Sequence, residues 1–196
     1  MDQNIKILFC QLLFFASPFV AFSQPLSPQS KEVKAAWEAL NKQPDSKQLQ
    51  LAYLKVFPSN KRDFVAVFEP DDFKQLYSGG EKYIDSFAAL AKNYPGAVID
   101  KSINIGKDLQ WEADGIGQLQ GAIVVMGVNN TIIFSKRLKL LTVIQQSRLI
   151  KFLADEDGIK HDQTYQELIN GLIKIGEKAL AHKFEIARTE REKEKE

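Results

Sequence analysis

Ala122-Ile-Val-Val-Met-Gly-Val-Asn-Asn-Thr-Ile-Ile-Phe134 is the stretch whose reading decides the fold. Its β-branched residues on either side of Asn129-Asn130 have the composition of two strands joined by a tight turn, and asparagine tolerates the left-handed backbone such turns need. The residues upstream argue for something else. Across 111–128, Ile116, Leu119, Ile123 and Met126 recur at the period of a helix face turned into a core. That spacing runs unbroken into Met126, and Phe134, Leu138 and Leu141 take it up beyond the asparagines. We read helix–turn–helix, with the hairpin as the alternative, and take 111–128 as the central helix of a helical domain. Ala113, Gly117 and Gly121 repeat every four residues on another side, a smooth stripe that lets neighbouring helices come close.

The rest of the chain follows in kind. Val33, Ala36, Trp37 and Leu40 form one helical stripe behind a cap at Ser27 or Ser30. Asp45 or Ser46 caps the next helix, which Pro58 ends by pushing the residue before it away from helical geometry. Ser59-Asn60 opens a short helix through Phe64, Val67 and Phe68, and Asp71-Asp72 a further turn through Leu76-Tyr77. Residues 81–93 are amphipathic, and Pro95 suits the first turn of the helix after them, which ends near Gly106. Thr142 caps a helix with Ile144, Leu149, Ile150 and Leu153 as its apolar residues. A last helix is expected from Asp162 to near the C-terminus, with Gly176 inside its buried stripe. The expectation is an all-α single domain of about eight helices in antiparallel hairpins, covering 31–185 behind a flexible lead at 24–30. The charged residues 186–196 have nothing to bury and are expected to protrude as a helical tail.

Residues 1–23 read as an address. Lys6 precedes the apolar run 7–20, which is short for a membrane span, and Ala21-Phe22-Ser23 places small residues at a secretory cleavage site. The expected cut follows Ser23, leaving a periplasmic or secreted chain with no membrane span. Cys10 is the chain's single cysteine, so the mature chain would hold no disulfide, thiolate nucleophile or cysteine metal site. The net charge of +1 offers no argument for nucleic acid or an anionic membrane.

Few residues invite chemistry. Gly115, Gly117 and Gly121 lack the G-x-G-x-x-G spacing of a dinucleotide loop and fall where the helical period already runs, so close packing accounts for them better. Glu112 and Asp114 are the conceivable carboxylate pair for glycoside hydrolysis, yet two residues apart on a helix they diverge. Asp155-Glu156-Asp157-Gly158 has the look of a calcium loop, but its sixth position is Lys160 where glycine is required and its twelfth is Gln166. Three acids at a helix C-terminus nevertheless oppose the helix dipole, which leaves room for a basic partner or an ion. Asp155, Glu156, Asp157 and nearby His161 are therefore the candidate binding patch. His161 and His182 stand too far apart for metal-ligand spacing on one helix. Neither a catalytic residue nor a metal or cofactor site is assigned.

Several motifs together resemble an uncharacterised family of small, exported, all-helical proteins of Gram-negative bacteria. They are Leu54-Lys55-Val56-Phe57-Pro58, Phe64-Val65-Ala66-Val67-Phe68, Pro70-Asp71-Asp72, Leu76-Tyr77, Tyr83-Ile84 and Gln110-Trp111-Glu112-Ala113-Asp114, with 149–153 and Asp157-Gly158 after them. The resemblance spans roughly residues 49–161 and implies helix at 122–134; the tail and the acids at 155–157 depart from it. It carries no catalytic residue across. The expected function is a non-enzymatic exported binding protein acting on another protein through a helical surface, by neutralising a toxin or inhibiting an enzyme. The alternatives are a carboxylate-dependent hydrolase of envelope polymers using Glu112 or Asp114, and an envelope scaffold whose tail docks elsewhere.

Overall fold

The computed structural model describes residues 25–68, 75–110, 115–155 and 159–194, and among these its regular structure is all helix, with no strand. Polar side chains cap the starts of α-helices at Ser27, Ser46, Asn60 and Thr142. Ser27 Oγ accepts from the Ser30 amide at 3.1 Å and opens α1 (Pro28–Lys42), with Pro28 in the first turn, where its missing donor costs nothing. Ser46 caps α2 (Lys47–Val56), whose end precedes Pro58 as expected. Asn60 accepts from the Asp63 amide at 3.0 Å and donates to the Asp63 carboxylate at 2.7 Å, fixing the start of α3 (Lys61–Phe68). α4 (Glu81–Ala89) tightens into a 3-10 turn at Leu90–Lys92, and Pro95 opens α5 (Pro95–Gly106). α6 (Gly115–Asn129) and α7 (Thr131–Leu138) follow, then α8 (Val143–Ala154) behind a full capping box between Thr142 and Gln145. α9 (Ile159–Lys174) and α10 (Lys178–Lys193) complete the order. The turn expected from Asp71 lies partly outside the described residues, and 75–77 are not helical.

The asparagines end one helix and start the next. Asn130 has φ −136°, whereas a tight hairpin turn of the favoured kind needs positive φ at both its central residues. Its amide donates to Met126 O at 3.0 Å, and its own carbonyl accepts from the Phe134 amide at 2.9 Å. The chain bends by 114° between α6 and α7, so the hairpin alternative falls.

Two kinds of packing fill the core. Around α2, α3 and α4 it is aromatic: Phe57 stacks on Phe87 with ring centroids 3.8 Å apart, while Phe64 and Phe68 tilt against each other at 5.0 Å. Tyr53 donates its hydroxyl to Tyr83 O at 2.8 Å, and the Trp37 indole N–H bonds Ser86 at 2.9 Å, tying α1 to α4. The remainder is largely aliphatic and surrounds α6, which packs on α4, α5, α7, α8 and α9. Ile116, Leu119, Ile123 and Met126 are buried, as their spacing requires, but so are Gln120, Val124 and Gly127 on other sides. No residue of this fifteen-residue helix is charged. The smooth stripe falls differently from expectation. Gly117 and Gly121 are only half-buried, and the close approach is at Gly127, where an added Cβ would stand 3.1 Å from Leu168 Cδ1 and 3.2 Å from the Phe134 ring.

The single last helix becomes two. Gly176 takes φ +84°, a left-handed conformation that side chains resist, and stops α9. The Glu177 amide reaches back to Leu172 O at 2.9 Å and the Gly176 amide to Ile173 O at 3.0 Å, the paired bonds of a Schellman turn. α10 therefore folds back along α9 and α8. Its charged end does not stand free: Ala187 is buried, and the side chains of Arg188 and Arg191 are 16% and 27% exposed.

Candidate binding surface

Asp155 sits at the C-cap of α8, where a carboxylate opposes the helix dipole, and the chain supplies the compensating cation itself. The Arg191 guanidinium pairs with the Asp155 carboxylate through a buried Nε that is aligned for charge rather than for a hydrogen bond. One turn earlier on α10, Arg188 Nη1 donates to Ala154 O at 2.9 Å, satisfying a carbonyl that the end of α8 leaves open. Its other Nη meets Asp162 in the first turn of α9. The basic partner that the acidic turn left room for is thus intramolecular, at least at Asp155. Glu156 and Asp157 lie outside the described residues, as does the side chain of His161, so of the four-residue patch only Asp155 is placed. Glu112 and Asp114 also lie outside them.

Four of the exposed apolar residues of the chain's second half lie on α8, the turn before it and α10. Leu140, Val143 and Ile144 are 75%, 79% and 65% exposed around the turn into α8, and Ile186 on α10 is 44% exposed. Ile144, one of the apolar residues expected of this helix, does not share the buried face of the others, because three residues back from Leu149 and four back from Ile150 is Gln146. Gln146 is the buried residue there, donating to Leu138 O at 3.0 Å. Val143 and Ile186 face each other across a groove of about 250 Å³ between α8 and α10, with Ile150 and Ala187 at its floor. Individually exposed apolar residues are ordinary; two of them facing each other over an apolar floor in one concave surface are less so.

Lys151 and Glu190, paired at 3.2 Å across the seam, border this groove and also a second, polar cleft of about 580 Å³ beyond it. Cations and acids both line the cleft, and the acids are already engaged. Asp108 pairs with Lys107 at 2.6 Å, Asp155 with Arg191, and Glu194 with Arg191 at 3.7 Å. Lys61 and Arg148 have no carboxylate partner among the described residues, and Lys183 beside the groove is held by the neutral Gln146 amide at 2.5 Å. Among the described residues, what remains after internal pairing is positive. Among the described residues there is no cluster of three or more histidine, cysteine or acidic side chains able to hold a metal. Tyr53, Tyr165 and Lys101, whose ionisation burial shifts, do not line the seam; they are engaged in hydrogen bonds to Tyr83 O, Phe184 O and Phe57 O.

The fold and this surface define an all-helical protein with a half-apolar, half-cationic furrow along one helix pair. Comparison with protein-family models, with curated proteins and with solved structures gives no match to the chain. Among the described residues no single helix is long and apolar enough to cross a membrane.

Proposed function

We propose that the chain is an exported binding protein that acts on another protein through the α8–α10 surface, and that its partners are held without chemistry. The observation that carries this is the set of exposed apolar side chains, Leu140, Val143, Ile144 and Ile186, two of which, Val143 and Ile186, line a groove. Fully burying a side chain of this size is worth about 1.5–3 kcal/mol. Three or four together cover the ordering costs of a modest interface. Neutralising a toxin or inhibiting an enzyme is the form such binding takes in this reading, and the resemblance to exported helical proteins agrees with an envelope location.

A photo-crosslinking residue at Ser147, on the groove rim, tests it against one at Glu38 on α1. Cells expressing the full chain should give a discrete protein adduct from position 147 and none from position 38. No adduct, or the same adducts from both positions, would sink the proposal.

A further inference from the structure

The furrow's two halves differ in chemistry, and the difference specifies its occupant. Resting on the α8–α10 reading above, we infer that the partner segment is an acidic amphipathic helix. Its apolar side chains fill the groove at Val143, Ile150 and Ile186, and its carboxylates reach Arg148, Lys183 and Lys61.

Three observations carry this. First, the groove is a concave seam between two helices, the shape into which an amphipathic helix lays its apolar face at i, i+3 and i+7. A flat lipid surface would meet only the convex corner at Leu140 and Ile144 and leave the groove floor at Ile150 and Ala187 uncovered. Second, the charge left over is of one sign. Among the described residues each acid bordering the seam already lies against a cation of the chain's own, Asp155 and Glu194 sharing Arg191, whereas Lys61 and Arg148 have no carboxylate partner and Lys183 has only an amide. A basic segment would meet these cations and would have to break an existing pair to gain an acid; an acidic one meets them without breaking anything. Third, the divider between the halves is a solvent-exposed ion pair: the side chains of Lys151 and Glu190 are 64% and 51% exposed. Pairs of this kind are worth little, so an incoming carboxylate can take Lys151 at small cost. Docked this way, the partner gains affinity from the groove, and specificity and association rate from the cations.

Selection of a phage-displayed library of random sixteen-residue peptides against the full chain tests the inference, with the enriched peptides then measured by fluorescence anisotropy. The expected winners carry apolar residues at helical spacing together with two or more acids. Their affinity should fall at least tenfold in Ile186→Asp and severalfold in Arg148→Glu with Lys183→Glu, and should weaken with added salt. Arg148 and Lys183 are exposed, so these reversals leave the fold intact, which circular dichroism checks. If Ile186→Asp abolishes binding while the charge reversals change nothing, the surface stands and the acidic helix is wrong. If no peptide is enriched, if the winners are basic, or if the chain prefers phosphatidylglycerol vesicles to any peptide, the inference is overturned. Winners insensitive to all three substitutions would overturn the α8–α10 surface with it.

Discussion

Replacing Arg188 by alanine should destabilise the chain by about 2–3 kcal/mol, although sequence alone would place this residue in a solvated tail. Its guanidinium joins two helix ends: Nη1 donates to Ala154 O at 2.9 Å, where α8 stops, and the other Nη meets Asp162, where α9 begins. The Ala154 bond is charge-assisted and made by a side chain only 16% exposed, which puts it at about 1.5–3 kcal/mol. Asp162 is 49% exposed, so that pair adds at most about 1 kcal/mol after screening. With a urea slope of about 2 kcal/mol/M, the midpoint should fall by about 1–1.5 M. Arg188→Lys should recover less than half, because a single ammonium cannot reach both partners in fork geometry. Asp162→Ala should cost no more than about 1 kcal/mol, and nothing further once Arg188 is gone, since the two mutations act on one contact. Urea unfolding followed by far-ultraviolet circular dichroism measures all of these. An Arg188→Ala midpoint within about 0.2 M of the parent would show that the α10 end rests on α8 without holding it, and the account of the tail would be wrong.

Further outcomes follow from single positions. Gly176→Ala should cost about 1–2 kcal/mol through backbone strain alone, because φ is +84° and a Cβ there meets nothing within 4 Å; Gly176→Asn should cost less. Gly127→Leu should cost at least about 1–3 kcal/mol by overpacking against Leu168 and Phe134, whereas Gly117→Leu, half-buried, should cost less. Phe57→Ala should lower stability by about 3–5 kcal/mol, since its ring is stacked on Phe87 and 1% exposed. Burial raises the pKa of Tyr53 and of Tyr165 in the folded state, so the stability they lend is full below the unfolded value near pH 10 and is lost as pH rises beyond it. Each tyrosine should add about 1.4 kcal/mol of loss per pH unit in that range, and Tyr53→Phe should remove its share of the slope. Burial lowers Lys101 instead, which works with the opposite sign below that range, so the Tyr53→Phe difference is the quantity to follow.

The helical period of 116–126 was legible because a fully packed helix repeats its apolar positions regardless of what surrounds it. Asn129-Asn130 was ambiguous because the same residues suit a hairpin turn and a helix end; the spacing on either side settled it. The Ser27, Ser46, Asn60 and Thr142 caps could be read because a cap is a local bond between neighbours. Gly176 misled because its role depends on φ rather than on spacing, and it stands four residues after Leu172, as a stripe member would. The tail misled for a different reason. Its alternating charges look solvated until the positions of Asp155, Asp162 and the Ala154 carbonyl are known, and those are brought to it only by the reversal at Gly176. The groove residues were similarly out of reach, since Val143 and Ile186 carry no mark of a shared surface until α8 and α10 lie side by side.

The absence of charge from α6 bears on how the molecule fails. An uncharged helix of fifteen residues is tolerable only while α4, α5 and α9 enclose it, and α9 begins about thirty residues later in the chain. Any form in which α9 has lifted off offers that surface to other molecules with no like-charge repulsion to keep them apart. Loss by heating should accordingly be governed by self-association of opened chains, with an apparent melting temperature that falls as concentration rises and climbs with faster scans. Lys or Glu introduced at Val125, the exposed large apolar position of α6, would slow that loss without touching the core.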